Sequence, residues 1–264
     1  MYYNYYSLNN DFVNFTIGIE ISLYRKENKK FNILFMNFEC DSVPHSNNCY
    51  YVKEYQSGIS GILDEVIYIN LDNPKWLYYL FAHIEEIMMK HLAPRTICLH
   101  GSGIFLDQGA IIFIGKRNIG KSTIIKKLLK TTLYSYLDDD LIMVKDDLVW
   151  GPGLPIKSRS CDSTCIMECD DETRYLSNYK RTTNSPQNII LIVYPTYNER
   201  RHNSIEVLSS KQNFRYLYEN IKHGDISLSI KTIVEMSMRC RSCRLIYSDD
   251  EFLYSLIKKQ LREI

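Results

Sequence analysis

The spacing of the hydrophobic residues changes near Pro94. Before it, short apolar or alternating runs separated by polar turns are typical of β-strands, and they predict strands at 12–23, 31–38, 49–55 and 66–69. Asn73 followed by Pro74 is a helix-start signal. Apolar residues at three- and four-residue spacing then predict a helix over 76–91, which ends at Ala93 and Pro94.

Beyond Pro94 strands and helices alternate. Strands are predicted at 96–99, 103–106, 110–114, 141–144 and 188–194, and another leads to Leu137. Helices are predicted at 121–130, 211–222, 227–238 and 250–262. This alternation indicates an α/β fold. We expect a smaller β-rich N-terminal part over residues 1–94 and a core over residues 95–264.

Composition narrows the class of protein. The chain has 264 residues, of which 45% are apolar and 24% charged, with a formal net charge of +1. A net charge this close to zero gives no overall attraction to nucleic acid, and no apolar run is long enough for a membrane span. The N-terminal residues lack the basic and apolar regions of a signal peptide. We therefore expect a cytoplasmic protein with reduced cysteines and no nucleic-acid or membrane partner.

A phosphate-binding loop is the strongest motif. The residues from Gly115 to Ser122 fit G-x-x-x-x-G-K-[ST], between a buried-strand pattern and a helical one. In such a loop the backbone N–H groups and the helix N-terminus surround phosphate oxygens. Lys121 is expected to bridge the β- and γ-phosphates, and Ser122 to bind Mg²⁺. The expected nucleotide contacts are Gly115, Lys116, Arg117, Asn118, Ile119, Gly120, Lys121, Ser122 and Thr123.

Three adjacent aspartates, Asp138, Asp139 and Asp140, follow the strand that leads to Leu137. Their charges repel unless a cation or solvent compensates, so they suit the metal of a magnesium nucleotide. The alternative is a solvated acidic turn. Asp146 and Asp147 read as a hairpin turn without a role.

The order of three short motifs resembles the HPr serine kinase/phosphorylase family. They are His100-Gly101-Ser102, Gly120-Lys121-Ser122-Thr123 and Asp139-Asp140-Leu141. The resemblance is closer to the HPr-kinase-like kinases of modified-peptide biosynthesis, including those of lasso-peptide precursors. It implies a P-loop kinase core of the HPr kinase type that uses ATP and Mg²⁺ to phosphorylate a serine hydroxyl.

Residue roles follow from the same resemblance. Asp139 would be the base, with His100 nearby and Lys121 on the phosphates, while Asp140 and Ser122 would hold Mg²⁺. Which aspartate is the base and which holds the metal stays open, as does ATP against GTP. Thr123 stands where HPr kinases have Glu, and their R-G-L-G signature is not recognisable. Both departures argue against HPr as the substrate and against the phosphorylase reaction.

Cysteines and arginines offer further candidates. Cys161, Cys165 and Cys169 would share one face if their segment is helical, and with the C-x-x-C pair of Cys240 and Cys243 they can supply soft zinc ligands. Buried thiols without metal are the expectation. One residue of a C-terminal cluster can stabilise a transferred phosphate, and the others are expected on a solvated face. The cluster is Arg239, Arg241 and Arg244.

Three functions are compatible with these patterns. The leading one is an ATP-dependent kinase of a serine in a peptide or protein, such as a peptide natural-product precursor. The alternatives are a nucleotide-binding regulatory or partner-recognition module with little transfer activity, and a kinase of a small-molecule alcohol. Many of the 21 tyrosines fall in residues 1–94, which we expect to grip the peptide. The oligomeric state stays open and includes a homo-oligomer.

Overall fold

The computed structural model describes residues 3–35, 39–41, 48–54, 61–63, 65–73, 76–117, 119–130, 134–154, 156–158, 165–168, 174–176, 185–198, 202–224 and 226–262. The chain divides into two units. One comprises Met1–Pro94 and Leu154–Asn178, and the other comprises Arg95–Gly153 and Tyr179–Ile264. The segment Leu154–Asn178, which the sequence placed in the core, thus groups with the N-terminal residues.

Strands and helices alternate in both units, and the α/β class is confirmed. In chain order the elements are β1 Tyr3–Asn9, β2 Asn14–Glu20, α1 Ile21–Leu34, β3 Glu39–Asp41, β4 Cys49–Glu54, β5 Gly61–Leu63, β6 Val66–Ile69, α2 Trp76–Lys90, β7 Ile97–Leu99, β8 Gly101–Leu106, β9 Gly109–Ile114, α3 Lys121–Leu129, β10 Ser135–Asp139, β11 Ile142–Lys145, β12 Leu148–Trp150, β13 Ile156–Ser158, β14 Cys165–Glu168, β15 Arg174–Leu176, β16 Gln187–Tyr197, β17 Ser204–Val207, α4 Ser210–Tyr218, β18 Ile221–His223, α5 Ile226–Arg239, β19 Ser242–Tyr247 and α6 Asp250–Arg262.

The first unit is built on a six-stranded sheet in the order β3-β1-β2-β4-β6-β5. β1 and β2 form an antiparallel hairpin, while β2, β4 and β6 run parallel. Alternate residues are buried in β4 and β6, namely Tyr50, Val52, Ile67 and Ile69, whereas β2 is buried continuously from Phe15 to Ile19. The unit also contains an antiparallel three-stranded sheet, β13-β15-β14. The predicted strands at 49–55 and 66–69 and the helix over 76–91 are confirmed within a residue or two at their described ends.

One predicted strand of this unit is wrong and another is too long. The strand predicted at 12–23 is β2, Asn14–Glu20, and its last three predicted residues begin helix α1. The segment predicted as a strand at 31–38 belongs, in its described residues 31–34, to helix α1, and residues 36–38 lie outside the described ranges. Phe31 and Phe35 are buried one helical turn apart, with ring centroids 6.5 Å apart. The polar run before them was read as a turn, but it is helical, with a kink at Glu27. Sequence patterning missed the helical spacing because the polar run interrupts it.

The second unit carries a ten-stranded sheet. Its central part has the order β10-β8-β9-β16-β19-β17, in which β9, β16 and β19 are parallel. An antiparallel branch, β12-β11-β7-β18, joins at the start of β16. The apolar runs of β9 and β16 lie in the middle of this sheet, where both faces can be covered, and all six residues of β9 are buried.

One helix of this unit is shorter than predicted. The helix predicted over 211–222 ends as α4 at Tyr218, and β18 follows it. Ser209 and Gln212 form a capping box at the start of α4. Glu219 is the C-cap of α4, and just beyond it the side-chain amide of Asn220 donates to the carbonyl of Tyr216 at 2.7 Å, a bond of the kind that competes with further helix. The other predicted elements of this unit are confirmed, and β12, β17, β18 and β19 were not predicted.

No helix among the described residues is both long enough and apolar enough to span a membrane.

Candidate functional site

The predicted phosphate-binding loop joins β9 to α3. Gly120 is the N-cap of α3 with a left-handed φ of 97°, and a Cβ there would lie 2.7 Å from the hydroxyl oxygen of Tyr247. Glycine is therefore required for both backbone and space. The buried Lys121 folds back over the loop, and its ammonium donates to the carbonyl oxygens of Gly115 at 2.7 Å and Lys116 at 2.9 Å. The loop thus curls around a lysine at the N-terminus of a helix.

Strand directions bring Asp139 to this loop. β10 and β9 are both antiparallel to β8, so they run parallel to each other and end at the same edge of the sheet. Asp139, the last residue of β10, lies opposite Ser102 in the register. Its Oδ1 accepts hydrogen bonds from the hydroxyl of Ser102 at 2.5 Å and from the hydroxyl of Ser122 at 3.0 Å. The carboxylate therefore touches the loop serine that was expected to bind metal.

Burial sets the electrostatics of this corner. Desolvation raises the pKa of Asp139, and the nearby Asp140 adds to the rise, although the two serine hydroxyls and Lys121 oppose it. Desolvation likewise lowers the pKa of Lys121, against the attraction of Asp140 and Asp139. Desolvation thus disfavours the charged form of both Asp139 and Lys121. A bound cation would stabilise the Asp139 carboxylate, and phosphate oxygens would stabilise the Lys121 ammonium.

The other two aspartates have different partners. Asp138 is buried, and its Oδ1 accepts from the backbone N–H of Leu141 at 3.2 Å, so it shapes the turn. Asp140 has a left-handed φ of 106°, which is rare for a residue other than glycine and is common at functional sites. Its Oδ1 lies 2.7 Å from Nε2 of His100. The three carboxylates thus face three separate environments.

The backbone of His100 bonds both to the phosphate loop and to the segment that follows α4. Its carbonyl oxygen accepts from the N–H of Gly115 at 3.3 Å, and its own N–H donates to the carbonyl oxygen of Asn220 at 2.9 Å. A cleft of about 320 Å³ opens here. It is lined by His100, Lys116, Arg117, Asp140, Glu219, Asn220, Ile221 and Lys222. The last four were not predicted as site residues, because their segment was read as the end of a helix.

The structure gathers most of the predicted site residues at one edge of the sheet. Asn118 lies outside the described ranges, and Thr123 is exposed on the first turn of α3. Ser102 belongs to the motif His100-Gly101-Ser102 but was not predicted as a site residue, although its place two residues after His100 was a sequence signal for that role. The arginine cluster lies elsewhere: Arg239 pairs with Asp147, and Arg244 lies 4.0 Å from Glu206. None of the three arginines lines the cleft at the loop.

The cysteines show no sign of a metal centre in the described ranges. Burial raises the pKa of Cys240 to about 11 and that of Cys243 to about 12, and both are free thiols. No group of three or more His, Cys, Asp or Glu residues in those ranges is placed to hold a metal. Cys165 lies in strand β14, so the shared helical face does not form there, and Cys161 and Cys169 lie outside the described residues.

Magnesium fits the residues present at the loop. The hydroxyl of Ser122 and the carboxylate of Asp139 are hard oxygen ligands of the kind that Mg²⁺ prefers, and they already lie 3.0 Å apart. Desolvation raises the pKa of Asp139, so a bound cation would stabilise its charged form. Ser122 and Asp139, rather than Ser122 and Asp140, are therefore the pair that the geometry offers to the metal.

Comparison with known proteins gives a distant likeness only. No protein-family model and no curated protein matches the chain. Among solved structures, the chain is similar to the HPr(Ser) kinase/phosphatase from Coxiella burnetii, with a TM-score of 0.30 and 13% sequence identity. The match covers 63% of this chain and 94% of that chain. At this level the likeness carries no functional argument, and it gives no support to the narrower resemblance to lasso-peptide kinases.

The raised pKa of Asp139 predicts that Asp139→Asn stabilises the protein at neutral pH without divalent cations. Because the native pKa exceeds the unfolded one, wild-type stability falls as pH rises from the ordinary aspartate value through the native pKa. The amide of the Asp139→Asn variant does not titrate in this range, so the stability of the variant does not fall in this way. Each kcal/mol gained should raise Tm by about 2–4 °C. Thermal unfolding in EDTA from about pH 4 to pH 8 measures the difference, which should vanish at the acid end.

Asp107→Asn, in the exposed turn between β8 and β9, is the matched control and should change Tm little at any pH. Added Mg²⁺ should stabilise wild type more than Asp139→Asn, since the variant lacks the carboxylate that binds it. A variant that is less stable than wild type at pH 8 in EDTA would contradict a penalised carboxylate at this position.

Proposed function

We propose that the protein is an ATP-dependent phosphotransferase that moves the γ-phosphoryl group to a serine hydroxyl of a peptide or protein. One observation carries the proposal: a lysine-bearing phosphate loop, a serine–aspartate pair and a histidine–aspartate pair meet at one edge of the sheet. A protein that only binds nucleotide needs the phosphate loop and the serine–aspartate pair. The histidine–aspartate pair would add a proton acceptor beside the phosphates.

In this proposal the two aspartates exchange the roles first assigned to them. Asp139 shares a hydrogen bond with Ser122 and would hold Mg²⁺ together with it. Asp140 lines the cleft with His100, where an acceptor hydroxyl can reach it, whereas Asp139 is not among the residues that line this cleft. Asp140 is therefore proposed as the base, with His100 as its orienting partner at 2.7 Å.

The transfer step balances within these groups. The acceptor oxygen forms a bond to the γ-phosphorus, and the bond between that phosphorus and the β–γ bridging oxygen breaks, which leaves ADP. Asp140 takes the proton of the acceptor hydroxyl. Lys121 and the N-terminus of α3 stabilise the charge on the phosphate oxygens. The magnesium ion, when bound, neutralises part of the phosphate charge.

The tyrosine-rich N-terminal residues bear on the peptide acceptor. Residues 1–94 remain our proposal for a peptide-gripping part, and their tyrosines form ring contacts such as Tyr3 with Tyr51 at 4.9 Å. Deleting them is a poor test, because Leu154–Asn178 groups with the same unit and would lose its neighbours. Point substitutions at the loop and the cleft test the proposal more cleanly.

Nucleotide binding depends on Lys121 in this account. Lys121→Met keeps the aliphatic stem in its buried position but removes the ammonium, so Mg-ATP affinity should fall about tenfold to a hundredfold. Isothermal titration calorimetry measures the affinity. Lys130→Met, at the exposed C-terminal end of α3, is the matched control and should bind like wild type. Equal affinities for Lys121→Met and wild type would rule out this loop as the phosphate site.

Transfer depends on Asp140. Asp140→Asn should lower the phosphorylation rate by about a hundredfold or more, because the amide cannot accept the proton. Mg-ATP affinity should stay within about threefold. Asp139→Asn should instead raise the magnesium concentration needed for half-maximal rate. Label transfer from [γ-³²P]ATP to a library of serine peptides, and to water, reports the rate.

The control for both variants is Asp107→Asn, which should keep the wild-type rate. If Asp140→Asn transfers phosphate at the wild-type rate while Asp139→Asn does not, the first assignment of the two aspartates was correct. If both variants match wild type, the aspartates form a solvated turn, and a nucleotide-binding module becomes the better description.

A further inference from the structure

The carboxyl ends of three parallel strands meet at the edge of the sheet that carries the phosphate loop. β9 leads into the loop, its neighbour β16 ends at Tyr197, and the next strand, β19, ends at Tyr247. After β9 the chain passes through α3 to β10 on one side of the sheet, whereas after β16 it returns as β19 on the other side. In open α/β sheets, ligands bind in the crevice where connections part in this way.

Tyr197 lies against the phosphate loop at this point. A Cβ added to Gly120, the N-cap of α3, would lie 3.7 Å from the Cβ of Tyr197 and 2.7 Å from the hydroxyl oxygen of Tyr247. Both tyrosines therefore flank the residue at which the loop becomes a helix. Their exposure differs sharply, because Tyr247 is 1% exposed and Tyr197 is 46% exposed.

Packing against Tyr247 holds the exposed ring in place. The two rings meet edge to face, with centroids 5.4 Å apart and planes at 61°. Tyr197 and Tyr247 are also register partners, and the backbone N–H of Asn198 donates to the carbonyl oxygen of Tyr247 at 3.0 Å. A ring braced in this way loses little freedom when a ligand stacks on it.

The direction of the nucleotide leaves its base on the side of Tyr197. In the proposed function the γ-phosphate and the metal lie toward Asp139, at the end of β10, and toward His100, just before β8. β10 and β8 lie on the opposite side of β9 from β16 and β19. The triphosphate therefore runs across the loop, and the nucleoside at its other end reaches the ends of β16 and β19.

We infer, on the basis of the proposed function, that Tyr197 is the surface on which the base of the bound nucleoside triphosphate stacks. Stacking on an aromatic ring adds affinity without choosing strongly among bases, because every base has a π-face. The inference therefore applies to ATP and to GTP alike. It assigns the base to the side of the loop away from the cleft that we give to the acceptor.

Calorimetry with two ligands tests this inference, one being Mg-ATP and the other inorganic tripolyphosphate with Mg²⁺, which has the phosphates but no base. Tyr197→Ala should weaken Mg-ATP binding by about fivefold to a hundredfold, as expected for one lost base–aromatic stack. Its affinity for tripolyphosphate should stay within about threefold of wild type, which also shows that the loop remains folded. Tyr197→Phe keeps the ring and should bind Mg-ATP within about threefold of wild type.

Tyr218→Ala is the matched control, since Tyr218 on α4 is 48% exposed and should not touch the base. Equal Mg-ATP affinities for Tyr197→Ala and wild type would overturn the inference and leave the proposed function standing. An equal loss of both ligands in Tyr197→Ala, a loss of Mg-ATP in Tyr197→Phe as large as in Tyr197→Ala, or a loss in Tyr218→Ala instead would also overturn it. Wild type that binds neither ligand would contradict the proposed function itself, and the inference with it.

Discussion

The carboxylate of Asp139 joins the two halves of the site. It accepts one hydrogen bond from Ser122, on the helix that follows the phosphate loop, and one from Ser102, on the neighbouring strand. This arrangement needs β10 to end beside β9, which the shared antiparallel partner β8 enforces. The surroundings also desolvate this carboxyl group, which raises its pKa, and a bound cation would stabilise the charged form. The sheet topology therefore has a direct chemical consequence.

Backbone strain at the next residue completes the arrangement. Asp139 and Asp140 are adjacent, and two such carboxylates would repel if they faced the same point. The left-handed φ of 106° at Asp140 turns the chain, so that its side chain meets His100 while Asp139 meets the loop serine. Two neighbouring residues can thereby serve two tasks, metal binding and proton acceptance. In our proposal this division distinguishes a phosphotransferase from a protein that only holds nucleotide.

Local motifs were predictable from the sequence, and contacts between distant segments were not. The phosphate loop and helix α3 follow from contiguous residues, because glycines, a lysine and an apolar helical pattern suffice to recognise them. The pairing of Ser102 with Asp139 depends on strand register, which the sequence does not reveal. Helix α1 was missed because a polar run hid the spacing of its buried residues. The cleft residues from Glu219 to Lys222 were missed because the helical pattern was extended to residue 222, whereas α4 ends at Tyr218 and β18 begins at Ile221.

A crystal structure with Mg²⁺ and a non-hydrolysable ATP analogue tests the central claim most directly. We expect the metal to contact the hydroxyl of Ser122 and to lie next to the carboxylate of Asp139. We also expect the γ-phosphate to face the pair of His100 and Asp140. A metal bound by Asp140, with Asp139 turned toward the γ-phosphate, would contradict the division of roles. A nucleotide bound away from the loop would contradict the account as a whole.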